Sequence, residues 1–473
     1  MNRPLLFLVA GLFFTTGCAT APRDSSPAPP DADQDAQPSP LFEDPFPSTY
    51  RAFPSTPTLI RDATILTGTG EIIEGGAILL RDGRIAEVGR DVAAPAGATI
   101  IDGSGMWVTP GIIDTHSHLG VYASPGVAAN ADGNEMTNPN TAEVWAEHSL
   151  WPQDPGFGHA LAGGTTSLQI LPGSANLFGG RSVTVKNVPA RTYQAMKFPG
   201  APHGLKMACG ENPKRVYGGQ GRFPMTAMGN VAGYRSAWIE AERYRDRWTR
   251  WRDNGADPAD RPDRNLRLET LAAVLEGDIL VHNHCYRADE MVTMIDIARE
   301  FGYTITSFHH ATEAYKIRDY LAEHDICASM WADWWGFKLE AYDAILQNVS
   351  LVHEAGACAI VHSDDGHGIQ RLNQEAAKVL GASAAHGLHI PKEEAIAWIT
   401  LNPARSMGID EETGSLEAGK AGDVVLWSGD PFSVYTRAEK VFVDGALMYD
   451  RSAPDPLLFG DFMLGILPPE VVR

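Results

Sequence analysis

Short segments in which apolar and polar residues alternate lie near both ends of the chain. Residues 58–68, 76–89 and 98–108 show this pattern near the start, and residues 422–427 and 440–450 repeat it near the end. Alternation at every second position predicts β-strands with one buried face, and the Asp-Gly pair at 82–83 predicts a turn between two of them. We therefore expect one small β-sandwich domain built from both ends of the chain, residues 42–108 and 402–473.

The middle of the chain has a different pattern, in which apolar runs of strand length alternate with segments of helical periodicity. Residues 288–301 and 314–323 are examples of the helical segments. Eight strand–helix units in about 290 residues predict an α/β protein with a (β/α)8 (TIM) barrel over residues 109–401, where reactive groups lie at the carboxyl ends of the strands. The predicted strands are residues 111–118, 165–171, 181–186, 204–209, 278–284, 303–310, 326–331 and 358–363.

The first residues have the features of an export signal. Arg3 precedes an apolar run of ten residues, 5–14, which is too short for a membrane-spanning helix of about 20 residues. The run ends in Thr-Thr-Gly-Cys at 15–18, which resembles a bacterial lipobox. The resemblance implies a signal peptide over residues 1–18 and a lipidated Cys18. Because Ala19 follows, it also implies the periplasmic face of the outer membrane. Ordinary cleavage that releases a soluble periplasmic protein is the alternative.

The composition limits the partners of the protein. Residues 19–41 are mostly Pro, Ala, Asp and Ser, which bury too little to offset the entropy of ordering, so we expect a disordered tether. In the whole chain 59 acidic residues outnumber 38 basic ones, a formal charge of −21. Such a chain repels phosphate backbones, so we expect no nucleic-acid partner and contact with a membrane only through the lipid anchor. Homo-oligomer formation is left open.

Four cysteines follow Cys18 in the sequence. They lie far apart, and each lies within or beside an apolar run. An exported protein can form disulfides, but this spacing matches no small disulfide scaffold. We therefore expect buried free thiols at Cys209, Cys285, Cys327 and Cys358.

Two histidines end the first predicted barrel strand, in Asp-Thr-His-Ser-His at 114–118. Side chains alternate along a strand, so His116 and His118 point to the same side, into the barrel. Two imidazoles on one face form half of a transition-metal site. Taken alone, this spacing also fits two histidines that pack in the core or lie on the surface and bind no metal.

The residues that lead into this pair add a family resemblance. Residues 108–114, Val-Thr-Pro-Gly-Ile-Ile-Asp, closely resemble the signature of the amidohydrolase superfamily, and residues 163–166, 171–176, 210–215 and 400–404 also match it. The resemblance is to imidazolonepropionase-like members and covers nearly all of the chain beyond the tether. It implies a metal-dependent hydrolase that binds one or two divalent cations, with Zn²⁺ as the expected metal.

The resemblance also implies the remaining ligands. Within residues 281–287 the family's ligand precedes Tyr-Arg, which selects His284; the in-phase His282 is then a packed core histidine or an alternative ligand. On the next strand a His followed by Glu-x-Tyr-Lys selects His310 over the adjacent His309. Asp364 ends the last strand, as the family's last ligand does.

Residues on and just after the fourth predicted strand bear on whether the site binds one metal ion or two. Lys206 lies where binuclear relatives have a carboxylated lysine, whose added carboxylate bridges two cations. Glu211, just past the strand, can supply a bridging carboxylate without modification. In the third alternative Lys206 forms a salt bridge, Glu211 is a loop residue, and neither residue contacts metal.

These residues together predict a hydrolytic reaction. A divalent cation lowers the pKa of water from near 16 to about 7, which supplies hydroxide at neutral pH. Asp364 can accept the water proton and deliver it to a leaving nitrogen, and His310 completes a second metal site or polarises the carbonyl group. Tyr286 and Arg287 are the candidate substrate contacts. We expect hydrolysis of carbon–nitrogen bonds other than ordinary peptide bonds, in a small amide, cyclic amide or amidine.

Two alternative functions use the same residues. In a metallodipeptidase of the Xaa-Pro or Xaa-Arg type, Arg287 would hold the C-terminal carboxylate of the substrate. In a periplasmic binding lipoprotein the scaffold would have lost its activity. The complete set of predicted ligands argues against the second alternative.

Overall fold

The protein is described by a computed structural model over residues 42–453. The predicted signal peptide 1–18 with Cys18, the predicted tether 19–41 and the last twenty residues, 454–473, lie outside the described residues. Within residues 42–453, no helix has the length and apolar character needed to cross a membrane. The export and lipidation hypotheses therefore stay predictions.

Strands from the two ends of the chain pair with each other, but they form one mixed sheet where a β-sandwich was expected. The parallel pairing of Ile65 with Val108 and the antiparallel pairing of Val108 with Leu426 join the two parts. Side chains from both parts share one buried apolar cluster, which includes Ile60 and Phe442. The strands are β1 Thr58–Leu66, β2 Ile72–Arg81, β3 Arg84–Gly89, β4 Thr99–Asp102, β5 Trp107–Pro110, β14 Val424–Trp427, β15 Ala438–Val443 and β16 Ala446–Asp450.

The middle of the chain forms a nearly closed sheet that, among the described residues, has eight strands in chain order. Each of the eight predicted segments overlaps one of them, and β8 and β9 begin before their predicted segments. The backbone N–H of Asp364 donates to the carbonyl oxygen of His116 at 3.0 Å, which joins the last strand to the first. The strands are β6 Ile112–Ser117, β7 Thr165–Ile170, β8 Phe178–Lys186, β9 His203–Ala208, β10 Ile279–His284, β11 Ser307–His309, β12 Cys327–Met330 and β13 Ala359–Val361.

Helices cover the outside of this barrel. The longest helix among the described residues, α3 (Ala227–Asp253), ends in a basic turn with Arg250 and Arg252, which suits the negative end of the helix dipole. Trp238 and Trp248 of α3 are buried, so this helix packs against its neighbours. The α-helices are α1 Pro155–Ala162, α2 Glu211–Gly218, α3 Ala227–Asp253, α4 Leu266–Glu276, α5 Ala288–Phe301, α6 Arg318–Glu323, α7 Asn348–Glu354, α8 Leu372–Ala384, α9 Lys392–Ala395 and α10 Leu401–Ser406.

One strand of the barrel runs against the others, so the prediction of eight strand–helix units was wrong in this respect. Strand β8 is antiparallel to both β7 and β9, whereas the remaining neighbouring strands are parallel. Residues 171–177 link β7 to β8, and so short a link suits a hairpin because a parallel crossover needs about a dozen residues or more. Apolar periodicity locates a strand without giving its direction.

The prediction of free thiols was also wrong, because the cysteines form two disulfides. Cys209 and Cys285 join the carboxyl ends of β9 and β10, and Cys327 and Cys358 join the amino ends of β12 and β13. The paired Cα atoms lie 5.2 Å and 4.4 Å apart, within the range that a disulfide spans. Strand adjacency brings the cysteines together over 76 and 31 residues, which their spacing does not show.

The disulfide at β12 and β13 should contribute measurably to stability. We expect the double variant Cys327→Ala/Cys358→Ala to lose about 2–4 kcal/mol of unfolding free energy, because the crosslink restricts the unfolded chain. Urea unfolding of both proteins measures the difference. Peptide mapping without reductant is the control and should recover both linked peptide pairs; free thiols at these four positions would contradict the assignment.

Candidate metal centre

Three predicted ligands meet where β6 and β13 end. His116 and His118 alternate along the end of β6, so both face the barrel mouth. Oδ1 of Asp364 lies 3.4 Å from Nε2 of His116 and 3.3 Å from Nε2 of His118. Nδ1 of His118 lies 2.8 Å from the carbonyl oxygen of Leu171, which orients the other nitrogen toward the carboxylate. These three residues offer ligand atoms within 4.8 Å of one another.

The two other predicted histidines lie on the same rim. His284 ends β10 and His310 follows β11, with 4.7 Å between their ring centroids. The ring of His310 also lies 4.3 Å from that of His116, and its Nδ1 lies 3.8 Å from Oδ2 of Asp364. Both His310 and Asp364 have left-handed backbone, with φ of 59° and 65°. Such backbone is uncommon outside glycine and is frequent at functional sites.

The alternative histidines lie beneath this rim. Nδ1 of His309 lies 2.8 Å from Nδ1 of His116, and Nε2 of His309 lies 3.0 Å from Nδ1 of His282. All three rings are buried. The structure therefore places His309 and His282 behind His116, whereas His284 and His310 line the mouth.

Lys206 and Glu211 occupy different surroundings. Lys206 on β9 is fully buried, and its Nζ lies 3.2 Å from Nε2 of His116. Burial lowers the pKa of Lys206 to about 7. Glu211 begins α2, and its carboxylate lies 3.7 Å from Nζ of Lys338. Lys206 thus lies among the imidazoles, while Glu211 forms an ion pair at the mouth.

The two predicted substrate contacts also differ. Tyr286 is buried, its ring stacks near that of His310 at 5.8 Å, and Nζ of Lys338 lies 3.7 Å from its ring centroid. Arg287 is half exposed and pairs with Asp289, with 2.9 Å between Nε and Oδ1. Tyr286 therefore faces the metal-ligand candidates, and Arg287 is engaged by a neighbouring carboxylate.

Two further residues of the site were not predicted. Nε2 of His362 lies 2.8 Å from Nδ1 of His310, and burial lowers the pKa of His362 to about 4. It follows β13 directly and lies two residues before Asp364, a spacing that the sequence contains. Asp114 accepts hydrogen bonds from the backbone N–H groups of His116 and Ser363, at 3.1 and 3.2 Å, and so joins β6 to the segment after β13.

The electrostatic environment of the site suits a metal ion. The pKa values of His116, His284 and His310 lie well below the usual range, mainly because these side chains are buried. These imidazoles are therefore neutral at pH 7. A neutral imidazole offers a lone pair, and a metal site requires deprotonated ligands. Neutral nitrogen donors with one carboxylate form a donor set that Zn²⁺ and related cations accept. The residues present therefore fit a divalent transition metal.

An aromatic wall extends outward from the site. It comes from the loop after β12, where Trp331 stacks on His310 with 4.4 Å between ring centroids. Trp334 stacks on Trp331 at 5.2 Å and is 40% exposed, and Phe337 lies edge-on to Trp331 at 5.7 Å. A flat apolar surface of this kind beside polar groups is typical of small-molecule sites.

Comparisons with known proteins identify relatives of this architecture. A model of the amidohydrolase family matches residues 344–448. The solved structure of an amidohydrolase from Thermotoga maritima is 33% identical, with a TM-score of 0.76 over 83% of this chain and all of that chain. An amidohydrolase from an environmental sample of the Sargasso Sea has 17% identity and a TM-score of 0.50 over 88% of this chain and 97% of that one, a likeness of fold alone.

Two relatives are known by sequence. The amidohydrolase TasK of Hapsidospora irregularis is 32% identical in an alignment 433 positions long that covers 83% of this chain and 43% of that protein, so this chain spans less than half of it. Imidazolonepropionase of Mesorhizobium japonicum is 26% identical in an alignment 380 positions long that covers 75% of this chain and 87% of that enzyme.

Proposed function

The chain belongs to the amidohydrolase family of carbon–nitrogen hydrolases, and we propose that it is a metal-dependent enzyme that hydrolyses non-peptide carbon–nitrogen bonds in a small molecule. One observation carries this proposal. The side chains predicted as ligands from separate strands converge on one barrel rim, where Asp364 lies within 4 Å of three imidazoles. Amides, cyclic amides and amidines are the proposed substrate classes. Imidazolonepropionase among the relatives supports a cyclic substrate.

The residues on the rim have separate roles in the proposed reaction. His116, His118, His284 and Asp364 would hold the cation, with Zn²⁺ as the proposed metal. When bound, a divalent cation supplies Lewis acidity, which lowers the pKa of water and polarises a carbonyl group. Asp364 accepts a proton from the attacking water and donates it to the leaving nitrogen. His310 orients the reacting carbonyl group or contributes to a second cation site.

The aromatic wall and Lys338 shape the proposed substrate cleft. Trp331 and Tyr286 flank His310, so an apolar or flat portion of the substrate would pack there. The dipeptidase alternative requires a cation for a substrate carboxylate, and Arg287 is already paired with Asp289. Arg287 is therefore not free to hold a dipeptide carboxylate, and Lys338, paired with Glu211, is the other cation at the proposed cleft.

A substrate screen tests this function. Purified zinc-loaded protein is incubated with cyclic imides, cyclic amides, amidines and a dipeptide library, and we expect turnover in the non-peptide classes. Turnover of dipeptides alone would favour the metallodipeptidase. Absence of turnover with every compound would favour the binding protein.

Variants of two adjacent carboxylates give the matched control for this screen. Asp364→Asn should retain the fold but lose at least about 10²-fold in kcat, because the proton acceptor is removed. Asp365→Asn should remain near wild type, since the Asp365 carboxylate accepts hydrogen bonds from the backbone of His367 and Gly368. An Asp364→Asn variant as fast as wild type would refute the proposed base.

Lys206 is the proposed source of a bridging carboxylate. Its amine lies against His116, and burial favours the neutral form that adds to carbon dioxide with release of a proton. We expect a carbamate signal from ¹³C-bicarbonate and two zinc ions in the wild type and in Glu211→Gln. Lys206→Gln should lose the signal and bind one zinc ion. Loss of the second zinc ion in Glu211→Gln alone would assign the bridge to Glu211 instead.

The proposed location is the periplasmic face of the outer membrane, with Cys18 as the lipid attachment site. The two disulfides support an oxidising compartment. We expect the full chain to incorporate labelled palmitate and to fractionate with outer membranes, and Cys18→Ser to do neither. Unlabelled, soluble wild-type protein in the periplasm would support ordinary signal cleavage instead.

A further inference from the structure

A cavity of about 540 Å³ lies between the amino-terminal turns of α3 and α5. We call it the side cavity. Its walls include Cys209, whose disulfide partner Cys285 follows His284 of the candidate metal centre. None of the metal-ligand candidates is among the described residues that line it. Small-molecule sites typically have volumes of about 300–1,000 Å³. The side cavity is therefore large enough to hold a small molecule of its own.

One wall of the side cavity is apolar. It is formed by Met228 and Val231 of α3 and by Met294 of α5. Met228 is 79% exposed, so this wall extends to the protein surface and the cavity is open to solvent. Methionine side chains are flexible and polarizable, and they pack against apolar groups of different shapes, aromatic rings included. This wall therefore suits the hydrocarbon part of a ligand.

A carboxylate without hydrogen-bond donors also lines the side cavity. Oε2 of Glu290 lies 3.8 Å from Sγ of Cys209, which has no hydrogen to donate because it is part of a disulfide. Nζ of Lys214 lies 4.0 Å from Oε1, beyond the roughly 2.7–2.9 Å of a charge-assisted hydrogen bond. Among the described residues, no N–H or O–H group donates to this carboxylate at hydrogen-bond distance. Its side chain is only 17% exposed, and a charge so shielded from water normally requires donors or a cation beside it.

A second carboxylate adds negative charge near Glu290. Both carboxylates approach Gly210, where a Cβ atom would lie 2.7 Å from Oε2 of Glu340 and 3.0 Å from Oε2 of Glu290. Glu340 is 6% exposed, and its Oε2 has no hydrogen-bond partner among the described residues. Burial and the charge of Glu340 raise the pKa of Glu290 to about 7. A cation in contact with Glu290 would offset this repulsion.

The two lysines of this cluster do not balance its negative charge. Lys214 is shared between Glu290 and Glu340, at 4.0 and 3.9 Å. Lys338 is shared between Glu340 and Glu211, at 3.9 and 3.7 Å. Three carboxylates thus share two ammonium groups at distances longer than a direct hydrogen bond. Within this cluster, one negative charge is left over when all five groups are ionised.

Asn230 supplies an uncharged acceptor at the same cavity. It lines the side cavity and is 3% exposed. Its Nδ2 donates to the carbonyl oxygen of Gly210 at 3.0 Å, and this bond fixes which way the amide points, because that oxygen can only accept. Oδ1 of Asn230 has no hydrogen-bond partner among the described residues. The amide therefore leaves one acceptor for a ligand.

The other charged groups on the wall of the side cavity are already paired. Nη2 of Arg235 lies 2.6 Å from Oε1 of Glu300, and Oδ1 of Asp289 lies 2.9 Å from Nε of Arg287. The hydroxyl group of Thr293 donates to the carbonyl oxygen of Asp289 at 2.9 Å. The polar groups that remain for a ligand are therefore acceptors, one of them charged, and they select a ligand that donates hydrogen bonds and is positively charged.

We propose that the side cavity binds a small organic ammonium ion, which donates to the Glu290 carboxylate and packs its hydrocarbon part against Met228 and Met294. An ammonium group has three donors, enough for Glu290 and Asn230 together. A metal ion fits less well, because the sulfur atoms beside Glu290 belong to a disulfide and the thiolate is the form of cysteine that binds metals. This site does not depend on the hydrolytic reaction proposed above.

Three probes of similar shape test the charge of the ligand. Phenethylammonium, phenethyl alcohol and hydrocinnamate are titrated separately into the purified full-length protein, and calorimetry measures binding. We expect the ammonium ion to bind at least about tenfold more tightly than the alcohol, because a hydrogen bond to a charged partner is stronger than a neutral one, and we expect the anionic hydrocinnamate not to bind. Equal binding of ammonium ion and alcohol, or no binding of the ammonium ion, would overturn the proposal.

Two variants on α5 and a spectroscopic measurement locate the site. Glu290→Gln removes the charge from the cavity and should weaken phenethylammonium binding at least about tenfold. Asp296→Asn removes a charge from an exposed position on the same helix and should bind as the wild type does. In ¹³C-methyl spectra of the wild type, the largest shifts should be those of Met228 and Met294, assigned with Met228→Leu and Met294→Leu. Unchanged affinity in Glu290→Gln, or the largest shifts at other methionines, would contradict the assignment.

Discussion

The hydrogen bond between the backbone N–H of Asp364 and the carbonyl oxygen of His116 holds the two ends of the barrel sheet together. The candidate metal centre depends on this contact, because its carboxylate and two of its imidazoles lie on opposite sides of that junction. Asp114 reinforces the junction through the backbone and hydroxyl groups of Ser363. The contact that closes the barrel therefore also brings Asp364 beside His116 and His118.

Burial gives the site its chemistry and also constrains it. Inside the barrel, water cannot satisfy polar atoms, so each imidazole must find a partner among its neighbours. His116 is held by His309, His118 by the carbonyl oxygen of Leu171, and His310 by His362. Because the same burial holds the pKa values of His116 and His310 well below the usual range, these two rings retain lone pairs for a cation. If the rim were more exposed, the same side chains would be more mobile and a larger share of the imidazoles would be protonated.

The sequence predicted the parts of the site that depend on strand periodicity. His116 and His118 alternate on one strand, and the resemblance located His284, His310 and Asp364 at other strand ends, where the structure places them. Contacts between distant segments were not predictable in this way. The antiparallel direction of β8, the pairing of the cysteines and the position of Lys338 above Tyr286 all depend on which strands become neighbours. Periodicity within a segment carries no information about that choice.

The reversed strand β8 has a consequence for the barrel interior. Its antiparallel pairing with β9 sets Ser182 opposite Gly204, and its pairing with β7 runs through Gln169. Barrel interiors are usually filled by branched aliphatic side chains, whereas here Gln169, Ser182 and His282 occupy the layer beneath the metal-ligand candidates. A polar layer is costly to bury unless its members bond to one another. Here the layer contacts the imidazoles above it, because His282 bonds to His309 and His309 bonds to His116.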